Sequence, residues 1–334
     1  MIWLAWRRNR LLLLVMVGVL IGLAVWMVLV AHASKATTEH SCNQVSGLPA
    51  LRCSGPLYVV NQSSTSASDQ AAVINVLLLL LPCLLGMVFG APLVANEAEH
   101  ATNRLAWTQG RSRTAWLIAS WLVVAVPLLA AMAAFAPIAQ WWSGRVYPNI
   151  PESLFLEGSR IQPNLFGITG VVPIAYTLFA FALGVALGAV LRRTSLAVVG
   201  TIVVYGVIAV IMVVAVRPAL APTAFLKSDT TDSVQYLTVP YPPPWVVTYE
   251  YRYIPGATRP RSGLSLDQIS FTCQQFATPS VESRCFTDHG VEGGFVYQEP
   301  DHYWEIQWRE ALLYLGAALV LFALSVWLVR RWST

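Results

Sequence analysis

The sequence predicts an all-α polytopic membrane protein. It has six transmembrane helices and a large, partly ordered extracellular loop between the fifth and the sixth. Three observations carry this. The 334 residues are 56% hydrophobic and only 11% charged, where a soluble globular chain carries about a quarter charged residues. The apolar excess is gathered into blocks near the roughly 20 residues that cross about 30 Å of hydrocarbon. The arginines are concentrated in the short segments on one side of those blocks, which is the asymmetry that orients membrane proteins.

Residues 1–10, MIWLAWRRNR, mix Trp3, Leu4 and Trp6 with arginines. They read as a short amphipathic interfacial helix, or as the start of the first span. That span is 11–31. A positive start before an apolar run also fits a signal peptide, but the run is long for one and five further spans follow, so a retained anchor is expected. A loop at 32–70 leads to span two, 71–95, which holds Pro82, Pro92 and the pair Gly86 and Gly90. A polar segment at 96–114 precedes span three, 115–137. A loop at 138–166 precedes span four, 167–191, with Gly184 and Gly188. The turn 192–194 leads to span five, 195–216. Residues 217–310 are too long for a bare connector and should fold at least partly. The aromatic and β-branched stretch 236–254 reads as strand broken by prolines. Span six is 311–329, closed by the tail 330–334.

With the N-terminus inside, six spans return the C-terminus inside. The inside segments then hold Arg7, Arg8, Arg10, Arg104, Arg111, Arg113, Arg192, Arg193, Arg330 and Arg331 against only Glu97 and Glu99. A multi-pass protein of the plasma membrane with both termini cytoplasmic is expected. The net charge of +4, from 21 Lys and Arg against 17 Asp and Glu, does not suggest nucleic acid, and no basic cluster alternates with aromatics.

Cys42 and Cys53 fall in the first outer loop, Cys273 and Cys285 in the last, and Cys83 alone in span two. Disulfides Cys42–Cys53 and Cys273–Cys285 are the simplest pairing in an oxidising exterior, although other pairings are open. The spacings do not read as a metal site.

Chemistry is sparse. There is no phosphate-binding loop, no HExxH and no GxSxG, so the chain is not expected to hydrolyse ATP or act as an enzyme. The six apolar blocks contain no Asp, Glu, Lys, Arg or His, which argues against a proton-coupled carrier. Two polar segments stand out. VANEAEHATNRLAWTQGRSRTAWL, 94–117, places Glu97, His100 and Arg104 at helical spacing, as a solvated turn or as a docking element. YQEPDHYWEIQWREALLYL, 297–315, puts Tyr303, Trp304 and Trp308 where interfacial rings are favoured. Glu305 and Arg309 stand four apart there. It reads as an interfacial anchor or as the lining of an external gate.

These two segments, with MIWLAWRRNR and VVPIAYTLFAFALGVALGAVLRRT, 171–194, resemble the permease subunit of ABC-2 type exporters of the actinobacterial type. The resemblance covers the transmembrane frame and is weaker in the outer loops. It implies a six-helix permease half that works with a second half, the same chain or a paralogue, in the membrane lipid above two cytoplasmic ABC ATPase subunits. ATP and Mg would bind in those subunits, and no cofactor in this chain. It also implies coupling to the ATPase through Glu97, Glu99, Arg104, Trp107, Thr108 and Gln109, and alternating access as the mechanism. Asn96 and Asn103 depart from the family's habit of Arg and His. The uncharged spans lean towards amphiphilic or hydrophobic cargo. A sensory or resistance partner of an ABC ATPase that moves no solute, and a structural or assembly protein without an ATPase, are the competing readings.

Overall fold

The computed structural model describes residues 2–44, 65–100, 112–146, 160–227, 245–254, 265–275 and 279–331. The chain divides into two compact units. One comprises residues 1–151, 164–216 and 306–334, and the other 152–163 and 217–305.

The first unit is helical. Among the described residues, six helical stretches are long and apolar enough to cross a membrane. Helix α1 (Ile2–Gln44) is continuous and runs through the residues expected as the N-terminal interfacial helix and span one. No Pro or Gly interrupts the chain before Gly18, and nothing else there stops a helix. Helix α2 (Thr65–Leu85) carries Pro82 and runs into a π-helical turn, Gly86–Gly90, and then α3 (Ala91–Glu99). Proline has no N–H to give the carbonyl one turn back, and the widened turn follows directly.

Helix α4 (Arg113–Val146) passes through Pro127 and Pro137, past the expected end at Pro137. Prolines are tolerated in apolar helices where neighbours satisfy the freed groups. A single turn, α5 (Pro163–Phe166), precedes α6 (Val172–Leu191), the helix that lies within the expected span four. Helix α7 (Thr194–Ile211) ends in a second π-helical turn at Met212–Val216.

Helix α6 is the centre of this unit. In its apolar stretch 72% of residues are buried, against 22% in that of α7. Its glycines explain how it is surrounded. A Cβ at Gly184 would stand 2.7 Å from the Ala91 nitrogen, and one at Gly188 2.7 Å from the Ala91 oxygen. From the other side, a Cβ at Gly86 would meet the Ala180 backbone at 2.5 Å, and one at Gly90 would strike the Phe181 carbonyl. The two Gly-x-x-x-Gly pairs therefore face each other, and two backbones touch along one seam. Between apolar helices, where burial from water contributes little, such van der Waals contact is the main attraction.

The second unit holds a three-stranded antiparallel sheet in the order β1-β3-β2, made of β1 (Ala224–Lys227), β2 (Trp245–Tyr253) and β3 (Val291–Gln298). The pairing of β2 with β3 shifts register at Val246/Thr248. Two short helices, α8 (Leu266–Gln274) and α9 (Pro279–Asp288), cover part of it. Ser265 and Gln268 form a reciprocal capping box at the start of α8, which satisfies two amide donors.

Ile269, Cys273, Phe286 and Val291 make a small core, and Tyr251 stacks on Phe286 at 4.7 Å. Cys273 and Cys285 are joined in a disulfide. Cys83 is a free, buried thiol. The expected Cys42–Cys53 bond lies outside the described residues. Gly290 takes a left-handed φ of 66° between α9 and β3, a conformation glycine adopts without steric cost. The last helix, α10 (Tyr303–Arg331), begins eight residues before the expected span six.

Candidate functional site

Two clusters of polar side chains stand out in the first unit. The first lies where α3 ends. Asp69–Glu99 is a helical stretch of 31 residues, about 46 Å long, against a hydrocarbon core of about 30 Å. The apolar run stops at Ala95, so exposed Glu99 stands beyond the membrane-spanning part. Its Oε2 accepts hydrogen bonds from the Thr194 backbone N–H at 3.0 Å and the Thr194 hydroxyl at 2.9 Å.

Thr194 opens α7. An acceptor at a helix start satisfies an amide that has no partner within the helix, and a negative charge is favoured there. The backbone bond, then the hydroxyl bond, hold the Glu99 carboxyl below the ordinary carboxylate range. The corner that Glu99 grips is two residues long. Arg192 is left-handed at φ 52° and donates its N–H to the Gly188 carbonyl at 3.1 Å, and Arg193 is extended.

Glu97 is half-buried on α3. His100 ends the helix, with its Nδ1 2.9 Å from the Asn96 carbonyl oxygen. The other residues expected in the coupling segment, Arg104, Trp107, Thr108 and Gln109, lie outside the described residues.

The second cluster joins α10 to α6. Buried Gln307 is fully occupied. Its Oε1 accepts from the Val171 and Val172 N–H groups, both at 3.1 Å. Its Nε2 donates to the Phe166 and Thr169 carbonyls at 3.0 and 3.1 Å. One amide thus caps the first N–H groups of α6 and closes the turn that leads into it, which a helix start within a buried region requires. One turn further along α10, the Tyr176 hydroxyl donates to Glu310 Oε1. Around that pair, Tyr314 meets Tyr176 edge-on at 4.5 Å and Phe179 at 5.1 Å, and Tyr205 lies 6.2 Å from Phe179.

Glu310 is completely buried. It lies one residue outside the apolar block expected for span six, which itself holds no ionisable side chain. The apolar block was drawn from 311, and Glu310, next to Arg309, reads in one dimension as part of a solvated end. Three-dimensionally, Tyr303, Gln307, Glu310 and Tyr314 recur at three- and four-residue spacing and are all buried, as one face of a helix must be. That periodicity was the signal available in the sequence.

Among the expected gate residues, Tyr303 is buried and packs edge-on against Trp304 at 5.2 Å. Trp304 and Trp308 are exposed. Glu305 is half-buried and Arg309 exposed. In the second unit, ligand atoms of Cys273, Cys285 and His289 lie within 4.8 Å of one another. The two sulfurs are bonded together, which leaves no thiolate to coordinate an ion.

The family described as ABC-2 membrane transporter related matches residues 13–217, more than half of the chain. The chain belongs to this family. Its members are permease subunits without catalytic activity of their own, and the protein is accordingly a multi-pass ABC-type permease. The matched stretch runs from α1 through α7 and takes in the Glu99–Thr194 contact and both glycine pairs. No curated protein and no solved structure matches the chain.

Proposed function

We propose that this permease is the membrane half of an ATP-driven exporter of the plasma membrane. It forms the translocation path beside a second permease half, a second copy or a paralogue, and couples by alternating access to two cytoplasmic ABC ATPase subunits that hold the ATP and Mg. The family match over 13–217 carries this reading. The arginine asymmetry supports a cytoplasmic position for both termini and residues 96–114, on the ATPase side. Glu97, Glu99, Arg104, Trp107, Thr108 and Gln109 form the coupling segment, and Tyr303, Trp304, Glu305, Trp308 and Arg309 the external interface.

The contact of Glu99 with Thr194 supports a route for the motion. A displacement of the coupling segment pulls on the start of α7 through this contact, and on α6 through the glycine seam. ATP drives the cycle only by favouring one arrangement over the other.

The test is purification of the chain from its own membrane in mild detergent, followed by assay of its ATPase. A stoichiometric ATPase is expected. Glu97→Ala with Arg104→Ala should leave ATP hydrolysis but abolish its stimulation by the permease. Repeated recovery of intact chain without an ATPase would sink the reading. A sensory role without transport draws support from the disulfide-linked fold of 217–305. ATP-dependent movement of cargo across reconstituted vesicles separates the two.

A further inference from the structure

Glu310 has a feature the permease reading does not use. It is an acid with no exposed surface, on a helix apolar enough to cross a membrane. An ionisable group in that position is costly, and where it persists it marks a path or a ligand.

The surroundings say what kind of ligand. The Tyr176 hydroxyl points its proton at the carboxylate. The rings of Tyr176, Tyr314, Phe179 and Tyr205 form a continuous chain of contacts beside it, at 4.5, 5.1 and 6.2 Å. A carboxylate supplies charge, aromatic faces attract cations through their quadrupoles, and the same rings accept apolar substituents. Together these features fit an amine or onium group carried on an apolar body. They do not fit an anion, which the carboxylate would repel.

We propose that the Glu310 carboxylate with Tyr176, Phe179, Tyr205 and Tyr314 is a recognition station for lipophilic organic cations. This deepens the reading above and rests on it, since only a permease gives such a station a cargo. In the arrangement described here the station is closed, and the Tyr176 hydroxyl occupies the carboxylate where a cationic N–H or onium group would lie. Binding a cation parts the Tyr176 and Tyr314 rings and moves α10 from α6. That movement is feasible because long side chains, not touching backbones, join the two helices.

The probe is tetraphenylphosphonium, with tetraphenylborate as its control of like size and shape but opposite charge. Both are titrated onto the full-length chain, purified in mild detergent with whatever subunits accompany it. The phosphonium should bind at least about tenfold tighter than the borate, and Glu310→Gln should remove about tenfold of its affinity. Equal binding of the two ions, or unchanged phosphonium affinity in Glu310→Gln, overturns the proposal.

Should that variant fail to fold, the native chain still decides. Saturating phosphonium, but not borate, should slow carbodiimide labelling of Glu310, read by peptide mass spectrometry. Labelling that neither ion slows overturns the proposal. The two readings fail separately. Charge-selective binding in a chain that never carries an ATPase sinks the exporter alone. A stoichiometric ATPase with no charge selection sinks the station alone.

Discussion

Helix α6 meets its neighbours in two different ways. Along Gly184 and Gly188 it touches α3 and the π-helical turn backbone to backbone, with no room for one added carbon. Along Tyr176 and Phe179 it meets α10 through rings, a carboxylate and the amide of Gln307. The first contact depends on shape alone. It is short-ranged, and a small displacement forfeits much of its attraction. The second depends on directional partners at the ends of long side chains, which can exchange one partner for another by rotating. The α3–α6 seam is therefore sensitive to any added bulk, while side-chain rotation can remodel the contact of α6 with α10.

The comparison breaks most decisively at the seam. Gly184→Val forces apart backbones already in contact and should cost about 3 kcal/mol or more. Thermal unfolding of the detergent-solubilised chain should show this as a large fall in midpoint. A midpoint unchanged within error would mean that the seam is not as close as described.

Gln307→Ala comes next. It strips partners from two amides and two carbonyls at the head of α6, and should cost about 2–3 kcal/mol. The same unfolding measurement reads it, and Gln307→Glu should recover only part of the loss, because a carboxylate cannot donate to Phe166 and Thr169.

A smaller effect belongs to Glu99. Its carboxyl is held below the ordinary range, so its stabilisation is complete above that range. It fades as pH falls through the ordinary value towards the lowered one. Glu99→Gln should flatten that acid limb of the pH–stability profile, and identical profiles for the two proteins would remove the contact. The smallest effect is the control. A Cβ at Gly206 meets nothing within 4 Å, so Gly206→Ala should change stability by about 1 kcal/mol at most, in the favourable direction. A loss at Gly206 as large as that at Gly184 would show that the close seam is not special.

The number of spans was legible in the sequence because hydropathy over about 20 residues is a local property, unaffected by which helix packs on which. Their ends were less legible. Helix α1 extends to Gln44 and α4 to Val146, well past the apolar blocks, since polar residues continue a helix as readily as apolar ones until a breaker intervenes. The long segment after span five was expected to fold in part, and β2 lies within its aromatic stretch. Its pairing with β3 joins residues some forty positions apart, which no local pattern specifies. The glycine pairs were visible as motifs but not as partners of each other.

What the sequence determined by itself is what short stretches determine alone. That covers six apolar helices, a family frame, the breakers at which the chain turns, and the cysteines available for a bond. Only the tertiary structure decided that Gly86 and Gly90 face Gly184 and Gly188, that Glu99 holds Thr194, and that Gln307 and Glu310 point inwards. Each of those joins groups distant in the chain. A side chain's worth depends on what stands opposite it, so a glutamate that reads as solvated beside Arg309 becomes, across from Tyr176, the buried acid of the bundle.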